Sequence, residues 1–526
     1  MAPAPDIVSL SAAQLEELLL ELRPLLPGPT YQLVQSLLRT LQWLMAAIEE
    51  KKLSIARLQR MIFGNQTEKT DRLLASGSSS IDTSPSGLKP KRQGHGRKGA
   101  KDYPGAKRIP VPHPTHQPGG LCPECLKGKL YLLKVPARII RLVAQPIVSA
   151  TIFELERLRC ALCGALFTAP PPAEAGAHKH DPSLGIMLSI LRYGAGLPMY
   201  RMEKWQTAFG VPLPASTQWQ LIDRASQTPD LVFEALIDVA AQGRLLHNDD
   251  TTMRVQSLRA AIAADTGAQR TGIFTTSIIS QIGEHRAALF FTGPKHAGEN
   301  IDEVLKRRAA HLGKPLQMCD ALSRNPSQMT ASELCHCLLH GRRNFVDLIQ
   351  SFPEPSRKVI ESLREIYHVD ARAKEGTLSD LQRLALHQEH SRPVMEALHQ
   401  WMTGQIDQKL VEPNSGLGRA IAYMLNHWKP LTRFLEIPGA PLDNNICERA
   451  LKTAILHRRN SLSYKTLHGA EVGDLFMSLI HTCQLNGVNP FDYLMALHHH
   501  AEAVRTDPSA WLPWNYPKPA PSCDTG

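Results

Sequence analysis

Carboxylates that could hold a divalent metal occur at three separated places in this 526-residue sequence. Asp249 and Asp250 close the short apolar run of "GRLLHNDDTT", and Asp320 closes a second run in "KPLQMCD". Glu448 lies in a segment with helical periodicity. Magnesium binds few carboxylates and completes its shell with waters and substrate oxygens, so three acids from different elements suffice. A pair of such ions can activate an oxygen nucleophile and neutralise a phosphate, so the pattern predicts phosphate chemistry.

The two adjacent aspartates cannot both face such a site. Side chains alternate between the two faces of a strand, so Asp249 and Asp250 point to opposite sides, and spacing alone leaves the choice between them open. Acids at strand ends are also common as turn residues and helix caps. That is the alternative interpretation for each of these carboxylates.

A second set of candidate metal ligands consists of two C-x-x-C pairs, Cys122 with Cys125 and Cys160 with Cys163. Each pair places two thiolates on one tight turn, and two pairs complete a tetrahedral zinc site. The 34 residues between the pairs include the strand-like "KLYLLKVPARIIRLVAQPIVSATIFELERLR". The segment therefore predicts a β-ribbon with structural zinc; two unrelated pairs of reduced cysteines are the alternative.

The elements that must position the three carboxylates are a run of strands followed by helices. The segments "GRLLHNDDTT", "TGIFTTSIIS" and "RAALFFTG" are strand-like, "GENIDEVLKRRAAHLG" is helical, and "KPLQMCDALSRN" is a buried-strand candidate. Three successive strands, a crossover helix and a fourth strand predict a mixed sheet. Helical patterns then fill residues 346–437, the segment of Glu448, and the chain beyond it.

Two accessory regions are expected before the zinc segment. Apolar residues from Val34 to Ile62 recur at steps of three and four, with Lys51 as one polar interruption, which favours a short coiled coil over an amphipathic helix packed on its own domain. Residues 75–108 are rich in Ser, Gly, Pro and basic side chains and predict a flexible linker. The basic side chains of this linker would neutralise DNA phosphates without reading the base sequence. The alternative is that they are merely solvated. The residues expected to contact DNA are Lys89, Lys91, Arg92, Arg97, Lys98 and Lys101.

Composition narrows the class of protein. Hydrophobic residues make up 43% of the chain and charged residues 21%, and no apolar run is long enough to cross a bilayer. The N-terminus lacks the basic start and continuous apolar core of a signal peptide, so a cytoplasmic, reducing location is expected. The net charge of +10 suits a polyanionic partner.

Three motifs in order, "LHNDDTTMRV" (246–255), "CLLHGRRNF" (337–345) and "LDNNICERALKTAILHRRN" (442–460), resemble those of the insertion-sequence-66 family of transposases. This family is a branch of the DDE transposases with a ribonuclease-H-like core. The resemblance extends to "FGNQTEK", the two C-x-x-C pairs, "NGVNPFDYL" and "LPWNY", and so covers nearly the whole chain. The departures are "ALSRN" after Asp320, where the family usually has glycine and an aromatic residue, and Leu338 in place of an aromatic residue.

The resemblance implies a catalytic triad of Asp249, Asp320 and Glu448 that binds magnesium or manganese. Asp249 is chosen because Thr251 then falls where the family has a threonine, whereas Asp250 matches a family acid that is not a metal ligand. The two aspartates would share the metals, and Glu448 would complete the site and orient the attacking oxygen. Water and then a DNA 3′ hydroxyl would be the nucleophiles, with no covalent protein intermediate.

The resemblance also implies double-stranded DNA as partner, both at the terminal inverted repeats of the element and at the target. Bringing two DNA ends together requires a homodimer or a higher oligomer. Accessory proteins of the same element are further candidate partners, and no membrane partner is expected. The resemblance also implies a bacterial, nucleoid-associated location. Basic residues in the last two motifs are expected to contact DNA phosphates: Arg342, Arg343, Lys452, Arg458 and Arg459.

Some alternatives remain open for these motifs. Arg342 and Arg343 could be ordinary surface charges at the start of a helix. Cys337 and His340 could form a second metal pair, or could be a packed cysteine and a hydrogen-bonded histidine. The whole chain could also be a catalytically inactive zinc-ribbon and coiled-coil DNA-binding protein derived from a transposase, or a ribonuclease-H-like nuclease that degrades without joining.

The predicted fold class is a multidomain α/β protein. It comprises an N-terminal helical coiled-coil region, a basic linker, a zinc-binding β-ribbon, a helical DNA-binding or connecting region, a ribonuclease-H-like mixed-sheet core with an all-helical insertion, and a helical C-terminal segment. Their predicted bounds are 1–74, 75–110, 111–170, 171–240, 241–465 with the insertion at about 346–437, and 466–526.

Overall fold

The structure is a computed structural model that describes residues 18–49, most of 109–163, and 166–517 apart from 265–269 and 329–331. The described residues form two compact units: 18–49, 180–199 and 216–517 in the first, and 109–179 and 200–215 in the second. Three predicted features lie outside the described residues. These are the six basic linker residues expected to contact DNA, the second half of the predicted coiled coil and the motif "FGNQTEK".

The described residues contain seven strands. These are β1 Arg157–Arg159, β2 Leu166–Thr168, β3 Leu245–Thr252, β4 Phe274–Ile282, β5 His285–Gly293, β6 Leu316–Cys319 and β7 Glu333–His336. The helices of the same residues are α1 Gly28–Glu49, α2 Pro182–Ser189, α3 Met199–Ala208, α4 Ala215–Ala240, α5 Gln256–Ala264, α6 Ala297–Leu305, α7 Leu338–Val346, α8 Pro353–Glu375, α9 Asp380–Asp407, α10 Gly416–Asn426, α11 Trp428–Leu431, α12 Asn445–Ser461, α13 Leu467–Leu485, α14 Pro490–His499 and α15 Ala501–Thr506. None of the helices in this part of the chain is long and apolar enough to cross a membrane.

A five-stranded mixed sheet forms the centre of the first unit, in the order β5-β4-β3-β6-β7. Strands β3, β4 and β5 form an antiparallel meander, and β6 and β7 run parallel to β3. The four predicted strands are confirmed. The sheet also has a fifth strand, β7, whose sequence ELCH has only two apolar residues, set between Glu333 and His336, and so shows neither an apolar run nor an alternation. The first strand continues past its aspartates to Thr252, which pairs with Phe274.

Residues 346–437, predicted as a helical insertion, contain the helices α8 to α11. Apolar residues of α8 recur at helical spacing, and Val359, Ile360, Leu363 and Ile366 are fully buried. They belong to a core shared with β6, β7, α7, α9 and α10. Burying each such side chain stabilises the fold by about 2 kcal/mol, so the insertion is anchored to the parallel half of the sheet.

Helix α13 covers the edge of the sheet at β5 through a row of polar side chains four residues apart. The four acceptors face alternate backbone N–H groups of the strand: Thr292 N to Asp474 Oδ2 (2.6 Å), Phe290 N to Ser478 Oγ (2.9 Å), Ala288 N to Thr482 Oγ1 (2.9 Å) and Arg286 N to Asn486 Oδ1 (3.2 Å). The two repeats match because four helical residues rise about 6 Å and two strand residues about 6.6 Å. The helix thereby satisfies an edge that would otherwise be open to pairing.

Candidate functional site

Strand register brings Asp249 and Asp320 together. In the parallel pair of β3 and β6, His247 lies opposite Met318. Asp249 and Asp320 each follow two residues later, so both point to the same face from neighbouring strands about 4.8 Å apart. Two of the three predicted carboxylates therefore meet at the carboxyl end of the parallel strands.

Asn325, in the loop after β6, links the two carboxylates. Its amide Nδ2 donates to Asp249 Oδ1 at 3.3 Å and makes a shorter hydrogen bond to Asp320 Oδ1. The same Asp320 oxygen accepts the backbone N–H of Leu322 at 3.2 Å, and Asp249 Oδ1 accepts that of Asp250 at 2.8 Å. The two carboxylates are thus held by short local contacts on both strands.

The electrostatics of this pair fit a divalent cation. Burial raises the pKa of Asp249 to about 7, and the negative charges of Asp320, Asp250 and Glu448 act in the same direction. A cation bound between the carboxylates would oppose all of these effects. The nearby Asn325 Oδ1 is buried without a hydrogen-bond partner. The atoms that could bind a metal here are therefore all oxygens, the ligands that magnesium and manganese prefer.

Asp250 is directed away from this pair. Its Oδ2 accepts hydrogen bonds from His296 Nδ1 at 3.0 Å and from Ala297 N at 3.4 Å, and its Oδ1 lies 3.3 Å from Arg324 Nη2. These contacts tie β3 to the start of α6 and to the loop after β6. The structure therefore brings Asp249, and not Asp250, to Asp320.

Glu448 lies on the first turn of α12, close enough to the pair for its charge to raise the pKa of Asp249. The start of this helix is fixed by Asn444. The Asn444 amide donates to the carbonyl of Asn248 at 3.1 Å, and its Oδ1 accepts from His247 Nδ1 at 3.0 Å. Its backbone N–H donates to Cys337 Sγ at 3.3 Å. Because Glu448 follows one helical turn after this anchor, its distance from β3 is set by Asn444.

Cys337, His340 and Glu448 form a cluster next to the aspartate pair. One ligand atom from each lies within 4.8 Å of the other two. His340 Nδ1 and Glu448 Oε1 are 3.9 Å apart, and both atoms are buried without a hydrogen-bond partner. Cys337 is completely buried. Cys337 is therefore packed in the interior, as in the second of the two alternatives, whereas the Nδ1 atom of His340 makes no hydrogen bond.

The predicted DNA-binding residues of the last two motifs have different surroundings. Arg342 is buried, with 7% of its surface exposed, whereas Arg343 on the same helix is exposed. Burial leaves little of the Arg342 side chain at the surface, so of these two arginines only Arg343 is proposed below to contact a DNA phosphate. Lys452 and Arg459 are exposed on α12.

Arg458 is half-buried and supports the end of strand β3. Its Nη1 donates to Thr251 Oγ1 at 3.2 Å and to Thr252 Oγ1 at 2.6 Å, with a further short bond to the carbonyl of Thr252. These contacts fix the end of β3, three residues beyond Asp249. The role that the contacts indicate is to position the strand, in addition to any contact with DNA.

The zinc segment is described in part. Cys122 N donates to the carbonyl of Gly128 at 2.7 Å, and Gly128 N donates to Cys125 Sγ at 3.4 Å, which lowers the pKa of the Cys125 thiol. Such a turn suits a thiolate ligand pair. Cys163 is exposed, and Cys160 lies outside the described residues. Strands β1 and β2 pair antiparallel, as a small ribbon would.

Sequence reasoning missed the polar residues that hold the site from behind. Asn248 Nδ2 donates to the carbonyl of Asn325 at 2.7 Å, and Gln317 Nε2 donates to Asn248 Oδ1 at 3.0 Å. Gln317 Oε1 accepts the N–H of Ser327 at 3.1 Å, so the loop is held at Asn325 and again two residues later. The available signal was a polar residue inside each apolar strand, since buried polar groups need partners.

Comparison with known proteins assigns a family to the part of the chain that carries this site. A family model described as "Transposase IS66 family" matches residues 180–472, which include all three carboxylates and more than half of the chain. Two relatives from Sinorhizobium fredii (strain NBRC 101917 / NGR234) are the uncharacterized proteins y4hP and y4jD. The first is 25% identical over 69% of this chain and 67% of its own length, and the second is 25% identical over 68% and 71%. The chain belongs to the IS66 family of transposases.

Proposed function

We propose that this protein is a DDE transposase of an insertion sequence, which binds the ends of its element, cuts a DNA strand and joins it to target DNA. The observation that carries the proposal is the meeting of Asp249 and Asp320 on neighbouring parallel strands, with Glu448 close enough to raise the pKa of Asp249. A sheet of three antiparallel strands extended by two parallel strands also suits a ribonuclease-H-like core.

In this proposal the carboxylates of Asp249 and Asp320 hold magnesium or manganese. Such ions, when bound, supply activation of an oxygen nucleophile and neutralisation of phosphate charge. Asn325 keeps both carboxylates oriented, because it donates to one oxygen of each. Glu448 completes the ligand set from α12, and the Arg458 contacts keep the end of β3 in place.

The DNA backbone would contact the exposed basic side chains of α12 on its way to the site. Lys452 follows Glu448 by one helical turn and is exposed, and Arg459 is exposed two turns further on. Arg343 would add a phosphate contact from α7. Structural zinc in the segment of Cys122, oligomerisation through the N-terminal helix and phosphate contacts from the linker are parts of the same proposal.

The test is a cleavage and joining assay on DNA that carries the terminal inverted repeats flanking the coding sequence. With magnesium, the parent protein is expected to cut at the element ends and join them to target DNA. Asp249→Asn, Asp320→Asn and Glu448→Gln should each lose cutting by at least 100-fold while still binding DNA. Glu303→Gln, an exposed acid on α6, is the matched control.

The products separate the competing functions. Cutting without joining would support a nuclease that only degrades DNA. Binding of element ends by the parent protein without any magnesium- or manganese-dependent cutting would contradict the proposal and support an inactive DNA-binding derivative.

A further inference from the structure

We propose that Cys337, His340 and Glu448 form a second metal site, which takes a zinc-class ion and positions Glu448 beside the aspartate pair. The site rests on the proposed function only for the role of Glu448, because the metal binding itself needs no DNA chemistry. Its three ligands are residues other than the C-x-x-C cysteines of segment 111–170.

The backbone places the three ligands at the starts of two helices. Cys337 immediately precedes α7, and His340 lies on the first turn of that helix. Glu448 lies on the first turn of α12. The hydrogen bond from Asn444 N to Cys337 Sγ, 3.3 Å, joins the two helix starts directly. A C-x-x-H spacing at a helix start gives one sulfur and one nitrogen ligand on a single turn.

Unsatisfied polar atoms point to a ligand between these residues. His340 Nδ1 and Glu448 Oε1 lie 3.9 Å apart, too far for a hydrogen bond, and neither atom has another hydrogen-bond partner. Two ligands of one tetrahedral zinc ion lie about 3.4 Å apart, since each bond is about 2.1 Å long. The separation of these two atoms would have to shorten by less than about 1 Å for both to coordinate one zinc ion. A cation bound there would give each of the two buried atoms a partner.

The donor types select the metal. A thiolate, an imidazole and a carboxylate suit zinc, whereas Asp249 and Asp320 offer the oxygens that magnesium prefers. On binding, the Cys337 thiol loses its proton to solvent and a sulfur–metal bond forms. One oxygen of Glu448 then faces this ion, and the other oxygen stays available to the aspartate pair. Three protein ligands leave a fourth coordination position open.

The experiment counts zinc bound by the full-length protein, without DNA, by elemental analysis. To separate this site from the zinc segment, every variant is also made in a background of Cys122→Ser with Cys125→Ser. Cys337→Ser and His340→Asn should each lose about one zinc ion per chain in both backgrounds. Cys335→Ser removes another buried thiol two residues away, outside the cluster, and should lose none.

Cobalt serves as a spectroscopic probe of the sulfur ligand. In the background that lacks Cys122 and Cys125, cobalt alone should give a thiolate-to-metal absorption band that Cys337→Ser abolishes and His340→Asn weakens. Circular dichroism and thermal unfolding identify variants that fail to fold, and His340→Cys, which supplies another metal ligand, should restore binding. Equal zinc content and equal cobalt spectra in the parent protein and both ligand variants would overturn the proposal.

Failure of this site and failure of the proposed function give different results. Asp249→Asn should lose DNA cutting and keep its zinc, because it lies outside the cluster. If the parent protein cuts no DNA but loses one zinc ion on Cys337→Ser, the metal site stands and the proposed function fails. If the parent protein cuts DNA and its zinc content does not depend on Cys337 or His340, the metal site is wrong.

Discussion

Asp249 and Asp320 accept hydrogen bonds from the same amide group, that of Asn325. The two carboxylates come from sequence positions 71 residues apart, yet they share a donor from a loop five residues after Asp320. The loop is itself held by Asn248, whose amide donates to the carbonyl of Asn325. The pair of carboxylates is therefore oriented by side chains of the protein itself.

Asn325→Ala should weaken manganese binding by about 10- to 100-fold, because the outer partners of ligating carboxylates contribute on this scale. Manganese titration followed by electron paramagnetic resonance measures the affinity without DNA. Ser323→Ala, an exposed position on the same loop, should bind manganese as the parent protein does. An unchanged affinity in Asn325→Ala would show that the amide does not orient the carboxylates.

Thr482→Val should lower the free energy of unfolding by about 1 to 3 kcal/mol, since the buried N–H of Ala288 on the edge strand loses its acceptor. Urea denaturation of the full-length protein measures the change. Thr482→Ser keeps the hydroxyl and should recover most of the stability. If valine and serine had the same effect, the hydrogen bond to β5 would carry none of the stability.

His457 should make the protein less stable in mild acid. Its ring is buried between Tyr193 and Tyr464, and burial, with a smaller effect of Arg192, lowers its pKa from 6.5 to about 3. The unfolded chain binds a proton below pH 6.5 and the folded chain does not, so stability is fully present above this pH and falls as pH decreases toward about 3.

The measurement compares the parent protein with His457→Phe, which keeps an aromatic ring between the tyrosines. Between pH 8 and pH 5.5 or so, the parent protein should lose about 1.4 kcal/mol more unfolding free energy than the variant. Exposed His311→Gln should follow the parent protein. Parallel pH profiles for the parent protein and His457→Phe would mean that His457 does not titrate differently in the two states.

Arg343→Ala should weaken DNA binding, whereas Arg342→Ala should reduce the stability of the fold. Exposed Arg343 is expected to contact a phosphate, so its loss should weaken DNA binding and reduce the salt slope of log affinity by about 1. Arg342→Ala removes a buried side chain and should instead lower the free energy of unfolding. Fluorescence anisotropy at several salt concentrations measures the first effect, with Arg505→Ala on α15 as control. An unchanged salt slope for Arg343→Ala would exclude the phosphate contact.

Much of the core could be predicted from the sequence because strands and helices carry local periodic patterns. Strands β3 to β6, the helical insertion and the helix of Glu448 all follow from runs and alternations within ten to twenty residues or so. Strand β7 could not be recognised, because its sequence ELCH has only two apolar residues between two polar ones, whereas the equally short β6 lies in an apolar run. Helix α5, between β3 and β4, was also not predicted, and none of its residues is buried.

The sequence by itself determined which residue types were available for the chemistry, and through the resemblance it indicated Asp249, Asp320 and Glu448. Only the tertiary structure decided which atoms meet. Parallel pairing of β3 with β6 and the contacts of Asp250 with α6 bring Asp249 to the site, and the packing of α7 against the start of α12 brings Cys337 and His340 to Glu448. The physical reason is range: side-chain periodicity acts over one or two turns, whereas these contacts join residues about 45 to 110 positions apart, whose proximity depends on the packing of the whole core.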